Sequence, residues 1–180
     1  MPSPDPVSIK LRLRELAQLF NSMDPSPFHD RDLDADAEEF IVSWAREAPH
    51  GESVVLTLHL ETIPPPGRAS EVENAIRNYF GTRAEMKQRE FRLLMKRGRT
   101  SLAVGLLFLA VCLGISELFA TLGQGALANF LKESLTIGGW VAMWRPLEIY
   151  LYDWWPVRAD YRILERLSRM DVRLVLPEKS

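Results

Sequence analysis

Four aspartates alternate in the stretch PFHDRDLDADAEEF: Asp30, Asp32, Asp34 and Asp36, with His29 just ahead of them. Oxygen ligands at every second position are how a calcium-binding loop opens. A loop of that kind beginning at Asp30 needs glycine at its sixth position for the sharp turn and glutamate at its twelfth for a bidentate bond. Those positions hold Ala35 and Ile41, so an EF-hand site is not expected. A looser metal site built on His29 with Asp30 or Asp32 is the alternative. The plainer role is negative charge at a helix N-terminus, where the helix dipole favours it. That role is preferred, and no metal or other cofactor is expected.

A second pair with chemical potential is Arg145 and Glu148, three residues apart in the apolar, aromatic run GGWVAMWRPLEIYLYDWWP. At that spacing the two meet on one helix face. Ionisable groups inside a membrane often mark an ion or ligand path. The structural alternative, preferred here, is that they pair or reach headgroups and fix the depth and rotation of a helix. Pro146 adds a kink that frees the carbonyl of Ala142.

Other chemistry is sparse. His29, His50 and His59 fall in separate elements and form no ligand spacing. Cys112 is the one cysteine, which excludes an intrachain disulfide and a thiolate-rich metal site. No glycine-rich phosphate loop, nucleophile elbow or HExxH motif is present. A net charge of -2 over 180 residues supplies no bulk field for a polyanion. With no catalytic motif, a non-enzymatic protein is expected.

The elements that position these residues fall into two classes. The hydrophobic fraction of 47% averages a polar part, residues 1–99 and 153–180, with an apolar part, residues 100–152. Thr100–Phe119 is a 20-residue apolar run with one ionisable group, Glu117, near its end. At helical rise it covers about 30 Å, the thickness of a bilayer core. A glycine-containing turn, TLGQGALANF, leads to a second apolar segment from about Phe130 to Tyr150. Two antiparallel transmembrane helices are expected. With the turn near Gln124 and Gly125, residues whose numbers sum to about 249 lie side by side. Glu117 then faces Lys132 as a structural ion pair. Arg145 lies about 7 Å inside the cytoplasmic boundary, within snorkelling reach. Tyr150, Tyr152, Trp154 and Trp155 form an interfacial belt.

Orientation follows from basic residues outside the spans. Arg83, Lys87, Arg89, Arg92, Lys96, Arg97 and Arg99 precede the first, and Arg158, Arg162, Arg166, Arg169 and Arg173 follow the second. The positive-inside bias places both termini in the cytoplasm. The N-terminal MPSPDPVSIKLRLREL has no apolar core behind basic residues, so no cleaved signal peptide is expected. Small residues four apart, Ser101 with Gly105, Ala110 with Gly114 and Gly138 with Ala142, make shallow faces suited to close helix approach. The first helix carries two such pairs where a hairpin needs one, so a homo-oligomer is expected.

The polar part reads as an α+β domain. VSIKLRLREL and SVVLTLHL alternate as half-buried strands. Between them DADAEEFIVSWAREAP is a helix capped at Asp34 or Asp36, with Phe40, Ile41, Trp44 and Ala48 as its buried stripe and Pro49 as its end. Ser70 and Glu73 open a long stalk helix in which Gly81 and Gly98 mark bends. Pro156 starts a further helix, and DVRLVLP is a third strand with Val172, Leu174 and Leu176 inward. One three-stranded sheet with helices on one face follows, closing across the inserted hairpin. Residues 1–99 and 153–180 complete this domain, and residues 100–152 are the insertion. The outer sheet face would carry a basic surface of Lys10, Arg12, Arg14, His59 and Arg173. It lacks the aromatics that RNA-binding sheets interleave, so nucleic acid is not expected. Anionic lipid or a cytoplasmic protein partner fits better.

PFHDRDLDADAEEFIVSWARE taken with GWVAMWRPLEIYLYDWWP resembles a family of small uncharacterised bacterial inner-membrane proteins with two transmembrane helices and no assigned function. The resemblance implies that location and no activity. Three functions are thus weighed. The first is a self-associating membrane scaffold or adaptor that presents a cytoplasmic domain. The second is a small oligomeric channel or transporter subunit using Arg145 and Glu148. The third is a membrane-tethered enzyme or metal module using the His29–Asp36 loop.

Overall fold

The computed structural model describes residues 7–28, 31–49, 52–65, 67–122 and 125–176. The chain forms two compact units, Met1–Lys87 with Ala159–Ser180, and Gln88–Arg158.

The first unit is mixed α and β. Strands β1 (Val7–Leu13), β2 (Val54–Leu60) and β3 (Asp171–Val175) make one sheet in the order β1-β2-β3, both pairings parallel. Alternation of apolar and polar residues sets the register: Leu11, Leu58 and Leu174 share one row, and Lys10, Thr57 and Arg173 the row before it. Parallel neighbours cannot be joined by a tight turn. Helix α1 (Ala35–Glu47) makes the first crossover, and everything from Glu61 to Met170 makes the second. The core joins Ile9, Leu56 and Leu58 of the sheet to Ile41 and Ala45 of α1 and to Ile76 and Phe80 of α2 (Arg68–Leu122). Leu164 and Leu167 of α5 (Trp154–Leu167) complete it. Arg77 on α2 ties β3 in place, donating from Nε to the Met170 carbonyl at 3.1 Å. The opposite face carries exposed Ser8, Lys10, Arg12, Asp171 and Arg173.

Helix α1 corrects the expected stripe by one residue. Ile41, Ala45 and Ala48 are buried, whereas Phe40 and Trp44 are 36% and 48% exposed, their rings 6.1 Å apart. A one-residue offset turns a helix face by about 100°, and the small Ala45 is what lets the helix approach the sheet. Asp34, rather than Asp36, is the cap: its carboxylate accepts from the Asp36 backbone N–H at 3.1 Å.

The expected stalk and first span are one helix. α2 starts at Arg68, after Gly67 in the left-handed region at φ 87°, and runs unbroken through Gly81 and Gly98. Ser70 lies inside it, its hydroxyl bonded back to the Gly67 carbonyl at 3.1 Å. Among the described residues α2 is the one helix long and apolar enough to cross a bilayer by length and composition.

In the second unit, α2 from Gln88 onward packs antiparallel on α3 (Ala126–Ala142) and the segments that follow it. A Cβ built on Gly98 would stand 2.9 Å from Ile149, one on Gly105 3.2 Å from the Ala142 carbonyl, and one on Gly139 2.8 Å from Leu109. Gly98 therefore serves close approach, not a bend. Gly98, Gly105 and Cys112 recur every seven residues, a seam of small side chains along one helix face. Gly98–Ile149 and Gly105–Ala142 sum to 247 and Leu109–Gly139 to 248, a residue or two below the expected value of about 249. The second apolar segment is not a single helix. Pro146 has no N–H to offer the Ala142 carbonyl, and α3 ends there. A short α4 (Trp144–Glu148) and a π-helical segment (Ile149–Asp153) carry the chain into α5.

Candidate functional site

Arg145 and Glu148 meet as their spacing requires: Arg145 Nη1 lies 2.7 Å from Glu148 Oε2. A third group joins them. Asp153 Oδ2 is 3.6 Å from the same nitrogen, brought round by the π-helical segment, whose wider turn changes the angle at which later side chains leave the axis. One guanidinium thus faces two carboxylates. Next to this cluster Trp154 Nε1 donates to the Tyr150 carbonyl at 2.7 Å, and the Trp154 and Trp155 rings lie 5.0 Å apart. The arrangement can set the rotation and depth of this segment. Its positive charge is already matched.

Among the described residues Glu117 and Lys132 form no ion pair with each other. The register, a residue or two from the expected one, turns Ser116 inward instead. Ser116 is 2% exposed, and its hydroxyl donates to the Lys132 carbonyl at 3.3 Å. Thr136 Oγ1 donates to the same carbonyl at 2.9 Å. Glu117 is exposed.

The basic surface is partly assembled. Lys10 and Arg173 lie in one sheet row, and Arg12 and His59 in the next, on one face. Asp171 shares that face and reduces its charge. Arg14 lies beyond the end of β1, with its backbone N–H bonded to Gln18 Oε1 at 2.9 Å.

His29, Asp30 and His50 lie outside the described residues. Asp34 caps α1, and Asp32 uses its backbone N–H to bond Asp24 Oδ2 at 2.7 Å. Among the described residues no group of three or more His, Cys, Asp or Glu is arranged to hold a metal ion.

Sequence reasoning missed a cluster 41 and 45 residues apart along the chain. Glu38 on α1 receives Tyr79 Oη at 2.6 Å and a side-on fork from Arg83, Nη2 at 2.7 Å and Nε at 3.0 Å. Burial pushes the Glu38 carboxyl up, but the bonds from Arg83 and Tyr79 outweigh it and hold the group below the usual glutamate value. Burial first, then the bond to Glu38, raises the Tyr79 phenol well above its ordinary range. The one local signal was Tyr79 and Arg83 at i and i+4 on one helix face. With its donors and acceptors mutually satisfied, the cluster clamps α1 to α2. Compared with known proteins, the chain matches no family model, no curated protein and no solved structure.

Proposed function

We propose that the protein is a membrane-anchored, self-associating scaffold or adaptor. Its second unit is a two-helix membrane hairpin, and its α+β unit lies on the cytoplasmic side with both termini. The observation that carries this is how the second unit spends its glycines and its apolar side chains. Gly98, Gly105 and Gly139 are consumed by helix contact, while a Cβ on Gly114 or Gly138 would meet nothing within 4 Å. Around those two open positions, Leu107, Val111, Ile115 and Leu118 of α2 and Ile137, Trp140 and Val141 of α3 are exposed. Water would not tolerate so continuous an apolar surface, and lipid would. Small open faces within it are where a second copy can approach at backbone distance.

The α3 helix is 17 residues, about 26 Å at helical rise, and reaches bilayer length only with α4 and the π-helical segment added. Arg145 at that inner end is matched by Glu148 and Asp153, so no free cation remains there to draw a permeant anion, which supports an anchor over an anion channel. A bacterial inner membrane is the proposed location, by the family resemblance above. The test is a pair of reporters, a fluorescent protein active only in the cytoplasm fused to either end and a periplasm-active enzyme inserted between Gly123 and Gln124. Activity of all three supports the hairpin; a silent fusion at one end contradicts it.

A further inference from the structure

In the first unit a cavity of about 560 Å³ opens between the end of α1, the start of β2 and helix α5. That volume is in the range of small-molecule sites. Its walls are unlike on two sides. Ala45, Ala48, Val54 and Ile163 supply apolar surface, and Arg46, Arg162, Arg166 and Arg169 supply charge. Two of these arginines are engaged: Arg46 holds Asp160 at 2.9 Å and Arg169 holds Glu165 at 2.8 Å. Among the described residues Arg162 and Arg166 form no ion pair, and Glu52 on the wall is the facing carboxylate without one.

Arg166 is the unusual group. Among the described residues it makes one hydrogen bond, from Nη1 to the Pro49 carbonyl, long at 3.3 Å. Its Nε and Nη2 are buried and have no partner among the described residues. These two nitrogens share one edge of the guanidinium, the edge Arg83 uses to grip Glu38. They form the parallel fork that matches two oxygens of a carboxylate or phosphate. Buried donors are normally paired, and an orphaned charged pair on one edge calls for an acceptor.

We propose that this cavity binds a small organic acid, its carboxylate or phosphate head held by the Arg166 fork with help from Arg162, its apolar body against Ala45, Val54 and Ile163. The guanidinium swings off the long Pro49 bond to bring its free edge to the ligand. The site would let the α+β unit answer to a soluble metabolite, independently of whether the second unit self-associates.

The test uses the full chain in nanodiscs with two probes of low lipid partition, benzoate and phenylphosphate, titrated by calorimetry. Saturable binding of at least one is expected. Arg166→Lys, which keeps the charge and loses the fork, should weaken it about tenfold or more. Arg162→Gln should weaken it less, and Arg173→Gln on the outer sheet face should leave it unchanged. Ala159→Leu fills the cavity wall without altering charge and should also abolish binding. Should Arg166→Lys fail to fold, Ala159→Leu decides alone. No saturable binding of either probe by the folded wild type overturns the proposal, as does undiminished binding by Arg166→Lys or Ala159→Leu.

Discussion

A side chain on Gly105 would place its Cβ 3.2 Å from the backbone carbonyl of Ala142, so a methyl group fits there only if α2 and α3 part by a few tenths of an ångström. At Gly139 Leu109 Cδ1, 2.8 Å away, is a side-chain end that can swing aside, but Cys112 Cβ at 3.2 Å is fixed to its backbone. Gly105→Ala and Gly139→Ala should therefore each destabilise the second unit by about 1–3 kcal/mol, the ordinary cost of overpacking. In the dissociated chain Gly114→Ala and Gly138→Ala meet open space and should be neutral or gain up to about 1 kcal/mol from helix propensity. Unfolding in mixed micelles followed by tryptophan fluorescence checks the order.

The Glu38 clamp predicts a pH dependence with a definite sign. The folded carboxyl titrates below its unfolded value of 4.5. It therefore stabilises fully above that value, and the contribution is lost as pH falls through the folded one. Urea unfolding from about pH 7 to about pH 3 should show stability falling in the acid range, and Glu38→Gln should flatten that part of the curve. Tyr79→Phe should cost about 1 kcal/mol at neutral pH.

Burial on α1 separates two neighbouring large residues. Ile41 is 0% exposed and Trp44 48%. Ile41→Ala should cost about 2–5 kcal/mol, whereas Trp44→Ser should stay within about 0.5 kcal/mol of the wild type. Denaturant midpoints of the two variants give the comparison. Equal losses would restore Trp44 to the core.

Removing Arg145 leaves Glu148 and Asp153 facing each other without their shared cation. Arg145→Leu should lower the yield of folded, membrane-inserted protein severalfold. Arg145→Lys should recover much of it, because both carboxylates meet one nitrogen, Nη1, and a single ammonium can take that place. Extraction yield and thermal unfolding read the effect.

Much of this architecture was legible from alternation and periodicity alone. The strands at Val7, Val54 and Asp171 announce themselves by period-two apolar residues, and a single shared sheet is the simplest way for three such strands to pair. Antiparallel packing of the two apolar helices follows from one short connection. What could not be read were the rotations. A one-residue offset separates Trp44 from Ala45 and Glu117 from Ser116, and composition is blind to a shift of about 100°. The α2 helix passes Gly98 without a bend, and that position answers instead to Ile149, dozens of residues away. For the same reason Glu38 with Arg83, and Arg166 with the cavity beside it, have no local signature. Each is a meeting made by the sheet crossovers.

The claim that most needs a direct measurement is self-association through the open glycine faces. The mass of the purified protein in nanodiscs, by native mass spectrometry, reads it. A discrete homo-oligomer is predicted for the wild type, with Gly114→Ile plus Gly138→Ile shifting it to monomer while the fold persists. A wild-type monomer, or an oligomer indifferent to both substitutions, would contradict the account.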